Sequence, residues 1–564
     1  MNHRKKIIVI GGSAAGPKAA AKARRLDPYA EITIIQKDSG LSMASCGYPY
    51  YLSGRIKDRK SLLTTAYGIV RDPDFFESTK GILAVIETEV SEIDRKNHNI
   101  TCNHRKTGEM TRLDYDKLII ATGADAKMPP VPGNTLSGIS TLHSLSDVDY
   151  LKNAHARGNI KQAVVIGGGL IGIETCEALR QSGIQVTVVE MLPQLLAFLD
   201  WEIAKLVENH VRNKAVKVIT NLAVSEFVGN GKLQAVKLND GTILPCELAV
   251  VAVGVSPNTK LARNAKLFIG KLGGIEVNEY MQTSDPDIYA IGDCVEVHHR
   301  ITGDKTLAPF GDLANLQGRV AGENAALGNC VTFPGTIQTG ICKVFDFSAG
   351  STGLSEVRAK AAGFNIVSVI TSGPDKPVFM SGKPLVTKMV ADADSGKVMG
   401  VQCVGWGDVS KQISQAAMAI QGNLTVEDLS NADLPYAPPF ALPIDNLIAA
   451  SHILGNKMKG RLDSISAVEV KTRLDNGSDP FILDIRERNE YEMMRLGIGE
   501  KQIPFGEVRN RLDELPPDKD REIICYCGIS LRAYETSLLL KANGWKHAGV
   551  MEGGIIAWPF DREK

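Results

Sequence analysis

The chain has 564 residues, which is too long for one folding domain and predicts three or four. Apolar residues make up 44% and charged residues 23%, as in ordinary globular proteins, and 64 basic side chains balance 64 acidic ones. This balance gives no support for nucleic acid or an anionic membrane as a partner, and no apolar run reaches the roughly 18 residues of a transmembrane helix.

Ten cysteines are scattered at irregular spacings along the chain. A long chain with such spacing does not have the pattern of a disulfide framework. We therefore expect a reducing, cytoplasmic location. No metal site is expected.

The start of the chain has the pattern of a dinucleotide-binding unit. A strand is predicted over Lys6 to Ile10, and the turn Gly11-Gly12-Ser13-Ala14-Ala15-Gly16 leads into an alanine-rich helix reaching Arg25. A second strand, Glu31 to Ile35, ends at Gln36, which can bond a ribose hydroxyl. Glycines permit the tight turn, and a helix N-terminus binds pyrophosphate. Residues expected to contact this first dinucleotide are Gly11, Gly12, Ala15, Gly16, Gln36, Lys37 and Ser42.

The same pattern recurs about 155 residues later in a more regular form. Gly167-Gly168-Gly169-Leu170-Ile171-Gly172 follows a strand predicted over Ala163 to Ile166 and precedes a helix. Glu190 follows the next strand, Val186 to Val189, where an acid bonds the adenine ribose. Met191-Leu192 rather than arginines come next, which favours NADH over NADPH. Residues expected to bind this second dinucleotide are Gly167, Gly169, Ile171, Gly172, Glu190 and Gly254.

Two further patterns indicate that the first dinucleotide is a flavin. Ala121-Thr122-Gly123 follows a strand predicted over Lys117 to Ile120, and Gly292-Asp293 follows the run Ile288 to Ile291. An aspartate directly after such a strand suits a hydrogen bond to the ribityl chain of FAD. The expected contacts are Ala121, Thr122, Gly123, Gly292 and Asp293.

Cys46 lies in the Gly/Pro-rich stretch from Ser42 to Tyr50, shortly after the first unit. No second cysteine stands four or five residues further on, so no internal redox disulfide is predicted here. A single thiol beside a flavin can form a mixed disulfide or persulfide with a sulfur substrate, which electrons from NADH then reduce. The alternative is a buried, inert cysteine. The order of the motifs favours the redox role, and Ser45 beside the thiol is a candidate substrate contact.

Three basic residues, Lys18, Lys22 and Arg25, share one face of the first predicted helix. They are candidates to receive the phosphates of a substrate such as coenzyme A. The alternative is an ordinary solvated basic face.

From Pro334 to about Ala450 the pattern changes to that of an α+β domain. Strands are predicted over Ile341 to Phe347 and Ile366 to Ile370, and a helix over Gln412 to Gln421. Tyr436-Ala437-Pro438-Pro439 is predicted to form a fixed loop, because proline interrupts helices.

From Val468 onward, strands and helices alternate again, as in a separate α/β domain. Strands are predicted over Phe481 to Ile485 and Glu522 to Cys525, followed by a helix from about Leu531. Cys527 opens a short glycine-containing loop that closes on Arg532. The backbone N–H groups of such a loop, with the arginine, stabilise a thiolate or persulfide anion. The pattern therefore predicts a sulfur-carrying thiol.

Residues 1 to about 450 resemble the single-cysteine branch of the flavin-dependent pyridine nucleotide–disulfide reductases. The resemblance rests on both glycine turns, Ala121-Thr122-Gly123, Gly292-Asp293, the Cys46 stretch, Asn315-x-Gln317-Gly318-Arg319 and Tyr436-Ala437-Pro438-Pro439. Residues 468 to 564 resemble a rhodanese domain through Asp484-Ile485-Arg486, Glu490-Tyr491, the Cys527-to-Arg532 loop, Gly553-Gly554 and Ala557-Trp558. The order of parts is similar to that of coenzyme A-disulfide reductase–rhodanese fusions.

The resemblance implies an α/β chain with two Rossmann-like domains, for FAD and NAD, an α+β dimerisation domain and a C-terminal α/β rhodanese domain. It also implies a homodimer, Cys46 as the redox thiol, and Tyr436 reaching the Cys46 site of the other subunit. The expected boundaries are 1–150 with 281–333 for FAD, 151–280 for NAD, 334–455 for dimerisation, 456–467 for a polar linker and 468–564 for the rhodanese domain.

The chain also departs from the family pattern. Ser45 precedes the redox cysteine where asparagine is usual, and Phe379-Met380 lies nearest the position of a second tyrosine of the dimerisation domain. The usual Gly-His-Ile-Pro-Gly-Ala stretch of rhodaneses is altered around Leu496-Gly497-Ile498-Gly499. These differences argue against coenzyme A disulfide itself as the substrate.

The sequence therefore predicts an NADH-dependent flavoenzyme that reduces persulfide, polysulfide or a coenzyme A-type disulfide. FAD and NADH are the expected cofactors, and coenzyme A is a further candidate ligand. The expected catalytic residues are Cys46, Cys527, Tyr436 and Arg532. Two alternatives stay open, an NADH oxidase that uses a Cys46 sulfenate and a redox-sensing protein whose rhodanese domain docks partners.

Overall fold

The computed structural model describes residues 4–156, 158 and 160–563. The chain divides into two compact units. The first contains the chain up to Val189 together with Leu222–Thr336, and the second contains Glu190–Asn221 together with the chain from Ile337 onward. Within the described ranges, no helix is both long enough and apolar enough to cross a bilayer.

The first unit opens with a five-stranded parallel sheet. From one edge to the other, its strands are Ile288–Ala290, Lys117–Ile120, Lys6–Ile10, Glu31–Ile35 and Leu83–Val85. Helices Ala15–Leu26 and Gly311–Leu327 pack closely against each other. Gly318 and Gly322 permit this packing, because a Cβ on either would lie 2.6 or 2.3 Å from a backbone oxygen of the first helix.

A second parallel sheet of this unit contains the second glycine turn. Its strands in this unit, side by side, are Gln185–Val189, Gln162–Ile166, Leu248–Val251 and Ile139–Ser140. Helix Leu170–Gln181 connects the first two of them. The two β-α-β units predicted from the sequence are both present, and their strand boundaries differ from the prediction by at most one residue.

Shorter elements complete the first unit. Its remaining strands are Thr88–Asp94, Asn99–His104, Met110–Asp114, Ala124–Ala126, Val224–Asn230, Lys232–Leu238, Ile243–Pro245, Val255–Pro257, Ile275–Glu276, Val295–His298 and Lys305–Thr306. Its remaining helices and helical turns are Ser45–Gly47, Tyr48–Leu52, Arg59–Leu63, Pro73–Lys80, Leu145–Ala156, Lys260–Asn264 and Gly292–Cys294.

The second unit contains a five-stranded antiparallel sheet. Its strands, side by side, are Gly340–Val344, Phe347–Gly353, Val398–Gly405, Pro384–Asp392 and Ile366–Pro374. The single strand predicted over Ile341 to Phe347 is therefore wrong, because the chain reverses at Phe345, where φ is +60°. The largely apolar stretch from Ile341 to Phe347 hides this hairpin, since no glycine marks the turn.

Helices flank this sheet. The helices and the one further strand described outside the C-terminal domain are Trp201–Asn213, Lys217–Ile219, Glu356–Ala361, Val378–Met380, Val409–Gln421, Val426–Ser430 and Asn446–Met458. The stretch predicted as a linker contains the end of helix Asn446–Met458 and the short strand Ser464–Ile465, and the next helix begins at Ala467.

The C-terminal domain is built on a parallel sheet. Its strands, side by side, are Ser464–Ile465, Ala548–Met551, Ile523–Tyr526, Phe481–Asp484 and Lys501–Gln502. Its helices and helical turns are Ala467–Asp475, Arg488–Met493, Phe505–Asn510, Leu512–Glu514, Leu531–Ala542 and Ile555–Ala557. The two parallel sheets of the first unit, the antiparallel sheet with its helices and this C-terminal α/β domain confirm the predicted fold class.

Candidate active sites

The first glycine turn is shaped by close backbone contacts. Gly11 has φ +111°, and a Cβ there would lie 2.1 Å from the carbonyl oxygen of Ala121. A Cβ on Gly16 would lie 1.9 Å from the carbonyl oxygen of Gly11. Only glycine fits these positions, so the turn brings the start of helix Ala15–Leu26 against the strand ends, as a pyrophosphate site requires.

Gln36 has a structural role in this turn. Its buried side-chain oxygen accepts a hydrogen bond of 2.8 Å from the N–H of Gly12. The oxygen that was expected to meet a ribose hydroxyl is therefore engaged with the turn itself. Lys37 beside it is exposed.

The second glycine turn repeats the geometry of the first. Gly167 has φ +107°, and a Cβ there would lie 2.3 Å from the carbonyl oxygen of Ala252. A Cβ on Gly172 would lie 2.0 Å from the carbonyl oxygen of Gly167. Gly169 and Gly254 face open space instead, and Ile171 exposes its side chain. Both turns thus fit a bound dinucleotide, since tight backbone packing surrounds an open approach to a helix N-terminus.

Gly292 and Asp293 lie against the first glycine turn. A Cβ on Gly292 would be 3.3 Å from the Cβ of Ala15, and the N–H of Gly292 donates a hydrogen bond of 2.7 Å to Gln317. Burial raises the pKa of Asp293, and His143 partly opposes this rise. A desolvated carboxylate at this point fits a polyhydroxyl chain that donates hydrogen bonds. Gln317 belongs to the Asn315-to-Arg319 motif, whose function the sequence did not explain.

Ala121, Thr122 and Gly123 form the bend that follows strand Lys117–Ile120. The Thr122 hydroxyl donates a hydrogen bond of 2.7 Å to the carbonyl oxygen of Asn258, whose own N–H donates to Gly123. Gly123 has φ +68° and faces open space.

Cys46 is an exposed free thiol on the helical turn Ser45–Gly47. The preceding loop is tied to the first glycine turn, because the N–H of Ser42 donates a hydrogen bond of 2.7 Å to Gly12. Helix Gly311–Leu327 begins next to the sulfur, and a Cβ on Gly311 would lie 3.8 Å from Sγ. The structure therefore brings Cys46 to the first dinucleotide turn and to a helix N-terminus.

The groups around Cys46 have opposite effects on the pKa of its thiol. Partial burial of the sulfur and the carboxylates of Glu174 and Asp293 raise the pKa of the thiol above its usual value. The positive end of helix Gly311–Leu327 favours the thiolate. Glu174 also lies 3.3 Å from the hydroxyl of Tyr50, which donates a hydrogen bond to it.

The basic residues of the first helix have different environments. Lys22 forms an ion pair of 2.8 Å with Glu323 of helix Gly311–Leu327, so its charge is used inside the fold. Arg25 is exposed and Lys18 is half-buried. Ser45 is exposed next to Cys46.

Two predicted residues belong to the second unit. The carboxylate of Glu190 accepts a hydrogen bond of 2.8 Å from the N–H of Leu192. Tyr436 stands on an irregular loop, with 51% of its surface exposed. Phe379 and Phe440 of the same unit are also highly exposed.

Cys527 follows strand Ile523–Tyr526 directly and is fully buried. The N–H of Ser530 donates a hydrogen bond of 3.1 Å to its sulfur, and Ser530 has φ +83°. The carbonyl oxygen of Cys527 accepts a hydrogen bond of 2.9 Å from Ile555. This loop therefore holds the sulfur against the backbone amide of Ser530, ahead of helix Leu531–Ala542.

Arg532, which closes this loop, forms a double hydrogen bond with Glu490. The two terminal nitrogens of Arg532 donate at 2.8 and 2.9 Å to the two carboxylate oxygens of Glu490. These bonds and the adjacent Cys527 raise the pKa of Arg532, and the arginine lowers the pKa of Glu490. The sequence includes Glu490 in a motif but gives it no function, because its partner lies 42 residues away.

Glu552 connects the C-terminal domain to the antiparallel sheet of the same unit. Its buried carboxylate accepts hydrogen bonds from Lys457 at 2.6 Å, Ser464 at 2.7 Å and the N–H of Ile370 at 3.0 Å. The next residues, Gly553 and Gly554, pack against Ile370 and the Cys527 loop. No sequence motif marks Glu552 as an anchor of this loop.

Three family models match the chain. The model of the pyridine nucleotide-disulphide oxidoreductases matches residues 5–309, and the model of their dimerisation domain matches 339–446. The model of the rhodanese-like domain matches residues 466–559. The matched ranges contain, in order, both glycine turns, the antiparallel sheet and the Cys527 loop.

Solved structures and a curated relative are similar over most of the chain. The NAD-dependent persulfide reductase from A. fulgidus is 40% identical, with a TM-score of 0.93, over 98% of this chain and 100% of that one. The reduced CoADR-RHD of Bacillus anthracis is 33% identical, with a TM-score of 0.91, over 99% and 98%. An NADH oxidase of Methanocaldococcus jannaschii is 35% identical over 80% of this chain and 99% of its own length.

Proposed function

Because the chain belongs to the pyridine nucleotide-disulphide oxidoreductase family, we propose that it reduces the sulfane sulfur of persulfides with electrons from NADH. The observation that carries this proposal is the position of Cys46, a free and exposed thiol held beside the first dinucleotide turn. In the same proposal, a C-terminal rhodanese domain with a second thiol, Cys527, transfers sulfane sulfur. Polysulfide and coenzyme A-type disulfides are chemically related substrates.

FAD is held by the first turn in this proposal, through Gly11, Gly12 and Gly16, with Asp293 on its ribityl chain. When bound, FAD supplies the means to pass a hydride's electron pair from the nicotinamide to sulfur. The tight contacts of the three glycines and the desolvated Asp293 carboxylate support this assignment.

Cys46 performs the bond exchange. Its thiolate attacks a persulfide, forms a new S–S bond and releases one fragment as a thiolate or hydrosulfide. Two electrons and protons then cleave the new bond and restore the thiol, so that a persulfide yields a thiol and hydrogen sulfide. The helix that begins at Gly311 stabilises the negative charge on Sγ during both steps.

NADH is the proposed electron donor, and it is bound by the second turn through Gly167, Gly169 and Gly172. Glu190 supports NADH over NADPH, since a carboxylate at the ribose repels a 2′-phosphate. Its hydrogen bond with the N–H of Leu192 fixes the direction of this carboxylate.

The proposed assembly is a cytoplasmic homodimer formed through residues 339–446, which match the dimerisation model. Tyr436 of one subunit contacts the Cys46 site of the other and donates a proton to the leaving sulfur. Exposure of Tyr436, Phe379 and Phe440 supports this assembly, because large apolar groups favour burial. Coenzyme A phosphates are proposed to meet Lys18 and Arg25 rather than Lys22, whose charge is paired.

An NADH oxidase is the second candidate, because a relative with that name is 35% identical over 80% of the chain. In such an enzyme Cys46 cycles through a sulfenate. A redox-sensing protein is the less favoured alternative, since docking alone does not require a thiol within an amide-lined loop.

The first test measures NADH consumption by the FAD-loaded protein without oxygen. Coenzyme A persulfide, polysulfide, coenzyme A disulfide and glutathione disulfide are compared, each with wild type, Cys46→Ser and Cys330→Ser. Cys330 is also an exposed free cysteine and is the matched control. We expect persulfide turnover in wild type and Cys330→Ser, and none in Cys46→Ser with FAD retained. Unchanged turnover in Cys46→Ser contradicts the proposal, and NADH consumption in a parallel assay with oxygen as the sole electron acceptor supports the oxidase.

A further inference from the structure

The Cys527 loop contains a paired arginine rather than a free one. Arg532 closes the loop that holds the sulfur, and Cys527 contributes to the raised pKa of this arginine. Both terminal nitrogens donate to the carboxylate of Glu490, at 2.8 and 2.9 Å. A Cβ on Gly528 would lie 3.7 Å from the Arg532 guanidinium and 3.9 Å from the Glu490 carboxylate, so both charges border the loop.

Glu490 is fixed in this position by its own helix. It is the third residue of helix Arg488–Met493, and its carboxylate accepts a hydrogen bond of 3.0 Å from the N–H of Glu487 in a capping box. Its carbonyl oxygen accepts a hydrogen bond of 3.1 Å from Arg486. The carboxylate is therefore preorganised and does not swing away from Arg532 without breaking the start of the helix.

This pairing changes the charge that a sulfur donor meets. A free arginine presents a planar set of N–H donors that suits a sulfonate or other oxyanion. When a carboxylate pairs with these donors, the positive charge of the guanidinium and the negative charge of the carboxylate cancel. The Cys527 thiolate then gives the loop a net negative charge. An approaching dianion is then repelled more strongly than a donor with one charge or none.

We propose that Glu490 makes Cys527 selective for sulfur donors with little charge beside the transferred sulfur, such as persulfides, and against dianionic thiosulfate. This inference rests on the proposed sulfur transfer at Cys527 and names its donor class. In the transfer, the Cys527 thiolate attacks the outer sulfur of RS–SH, and a new S–S bond forms on Cys527. The RS–S bond breaks with its electron pair, so RS⁻ leaves and no external oxidant or reductant is needed.

The test measures single-turnover persulfidation of Cys527 in the full-length, FAD-loaded protein without NADH. The mass gain of one sulfur atom on the Cys527 peptide is followed with thiosulfate, methanethiosulfonate and an uncharged alkyl persulfide. Thiosulfate and methanethiosulfonate have similar shapes but differ by one charge, which isolates the electrostatic effect. We expect the persulfide to react fastest and thiosulfate slowest in wild type.

Glu490→Gln is expected to raise the thiosulfate rate about tenfold, the methanethiosulfonate rate less and the persulfide rate within about twofold. Glu522→Gln is the matched control, because Glu522 also pairs with an arginine, Arg473 at 2.8 Å. Glu522 precedes strand Ile523–Tyr526 and Cys527 follows it, so the two residues lie at opposite ends of this strand. We expect no change in this control.

Three outcomes overturn the inference. The first is that thiosulfate proves to be the fastest donor in wild type. The second is that Glu490→Gln leaves the ratio of the thiosulfate and methanethiosulfonate rates unchanged, and the third is that Glu522→Gln alters this ratio as much as Glu490→Gln does. If Glu490→Gln does not fold, the salt dependence of wild type decides, since added salt should accelerate thiosulfate more than methanethiosulfonate. No mass gain from any donor, in contrast, refutes sulfur transfer at Cys527 itself and leaves NADH-linked persulfide reduction at Cys46 standing.

Discussion

The two proposed reactive thiols, Cys46 and Cys527, lie in different local environments. Cys46 is an exposed residue, and partial burial of its sulfur together with nearby carboxylates raises the pKa of its thiol. Cys527 is buried, and the N–H of Ser530 donates to its sulfur. Cys525, two residues before Cys527, has neither arrangement, and burial raises the pKa of its thiol to about 12. Reactivity at this scale depends on donors and charges around a sulfur rather than on the cysteine itself.

Tyr436→Phe tests the proposed proton donor, because this change removes only the hydroxyl and preserves packing. If Tyr436 acts alone, without a second tyrosine at Phe379, turnover of persulfide should fall by about 10²-fold or more, within the range of general acid catalysis. Steady-state NADH oxidation and the subunit number in solution are measured together.

Tyr67→Phe is the matched control for that experiment, because Tyr67 exposes 91% of its surface. It should retain full turnover. A Tyr436→Phe protein with full activity and an unchanged oligomeric state would limit Tyr436 to a packing role.

A buried lysine connects several elements of the second unit. Lys388, in the middle of strand Pro384–Asp392, contacts Asp200 at 3.0 Å, Glu202 at 2.6 Å and Glu356 at 2.7 Å. These carboxylates raise the pKa of Lys388 against the effect of burial. Two helices, Trp201–Asn213 and Glu356–Ala361, are thereby joined to the antiparallel sheet at one point, and removal of one partner leaves buried charge less compensated.

Glu356→Gln tests the pH dependence of this connection. Burial alone would raise the pKa of Glu356, but Lys388, Lys360 and Ser368 together outweigh it and the pKa falls from 4.5 to about 2. A lowered folded-state pKa stabilises the fold above pH 4.5, and that contribution disappears as the pH falls towards 2. The substitution should therefore cost on the order of 2–3 kcal/mol at neutral pH and little near pH 2.

Hydrogen exchange of the amides in strand Ile366–Pro374 measures this stability locally, which avoids the assumption of two-state unfolding for a multidomain chain. Glu427→Gln, a change at an exposed glutamate of the same unit, is the control and should have no effect at either pH. A penalty for Glu356→Gln that stays constant from neutral pH to pH 2 would contradict this account.

At the scale of the whole molecule, the two thiols belong to different folding units. Cys46 lies in the first unit and Cys527 in the second. We expect Cys527→Ala to abolish sulfur transfer while NADH reduction of a small diffusing persulfide continues. Cys525→Ala, at the neighbouring buried thiol, controls for damage to the domain and should retain both activities. Loss of both activities in Cys527→Ala alone would mean that the thiols form one obligatory relay.

Local sequence determined much of this protein. The two glycine turns, the strands that precede them and the loop after Cys527 are contiguous in sequence, and each requires residue types that few other structures need. Gly11 and Gly16, like Gly167 and Gly172, leave no room for a Cβ, so sequence alone identified the folds around them. The order of these motifs was enough to predict the fold class and the family.

Only the tertiary structure decided how distant charges meet. Arg532 and Glu490 lie 42 residues apart, and Lys388 meets carboxylates more than 150 residues before it. The pairing of Lys22 with Glu323 and the hairpin at Phe345 were likewise hidden in the sequence. Charged side chains carry no periodic pattern, and their partners are set by which elements the core brings together. The structure therefore shows that Arg532 pairs with Glu490. This pairing sets the net charge of the proposed sulfur site, which the sequence did not reveal.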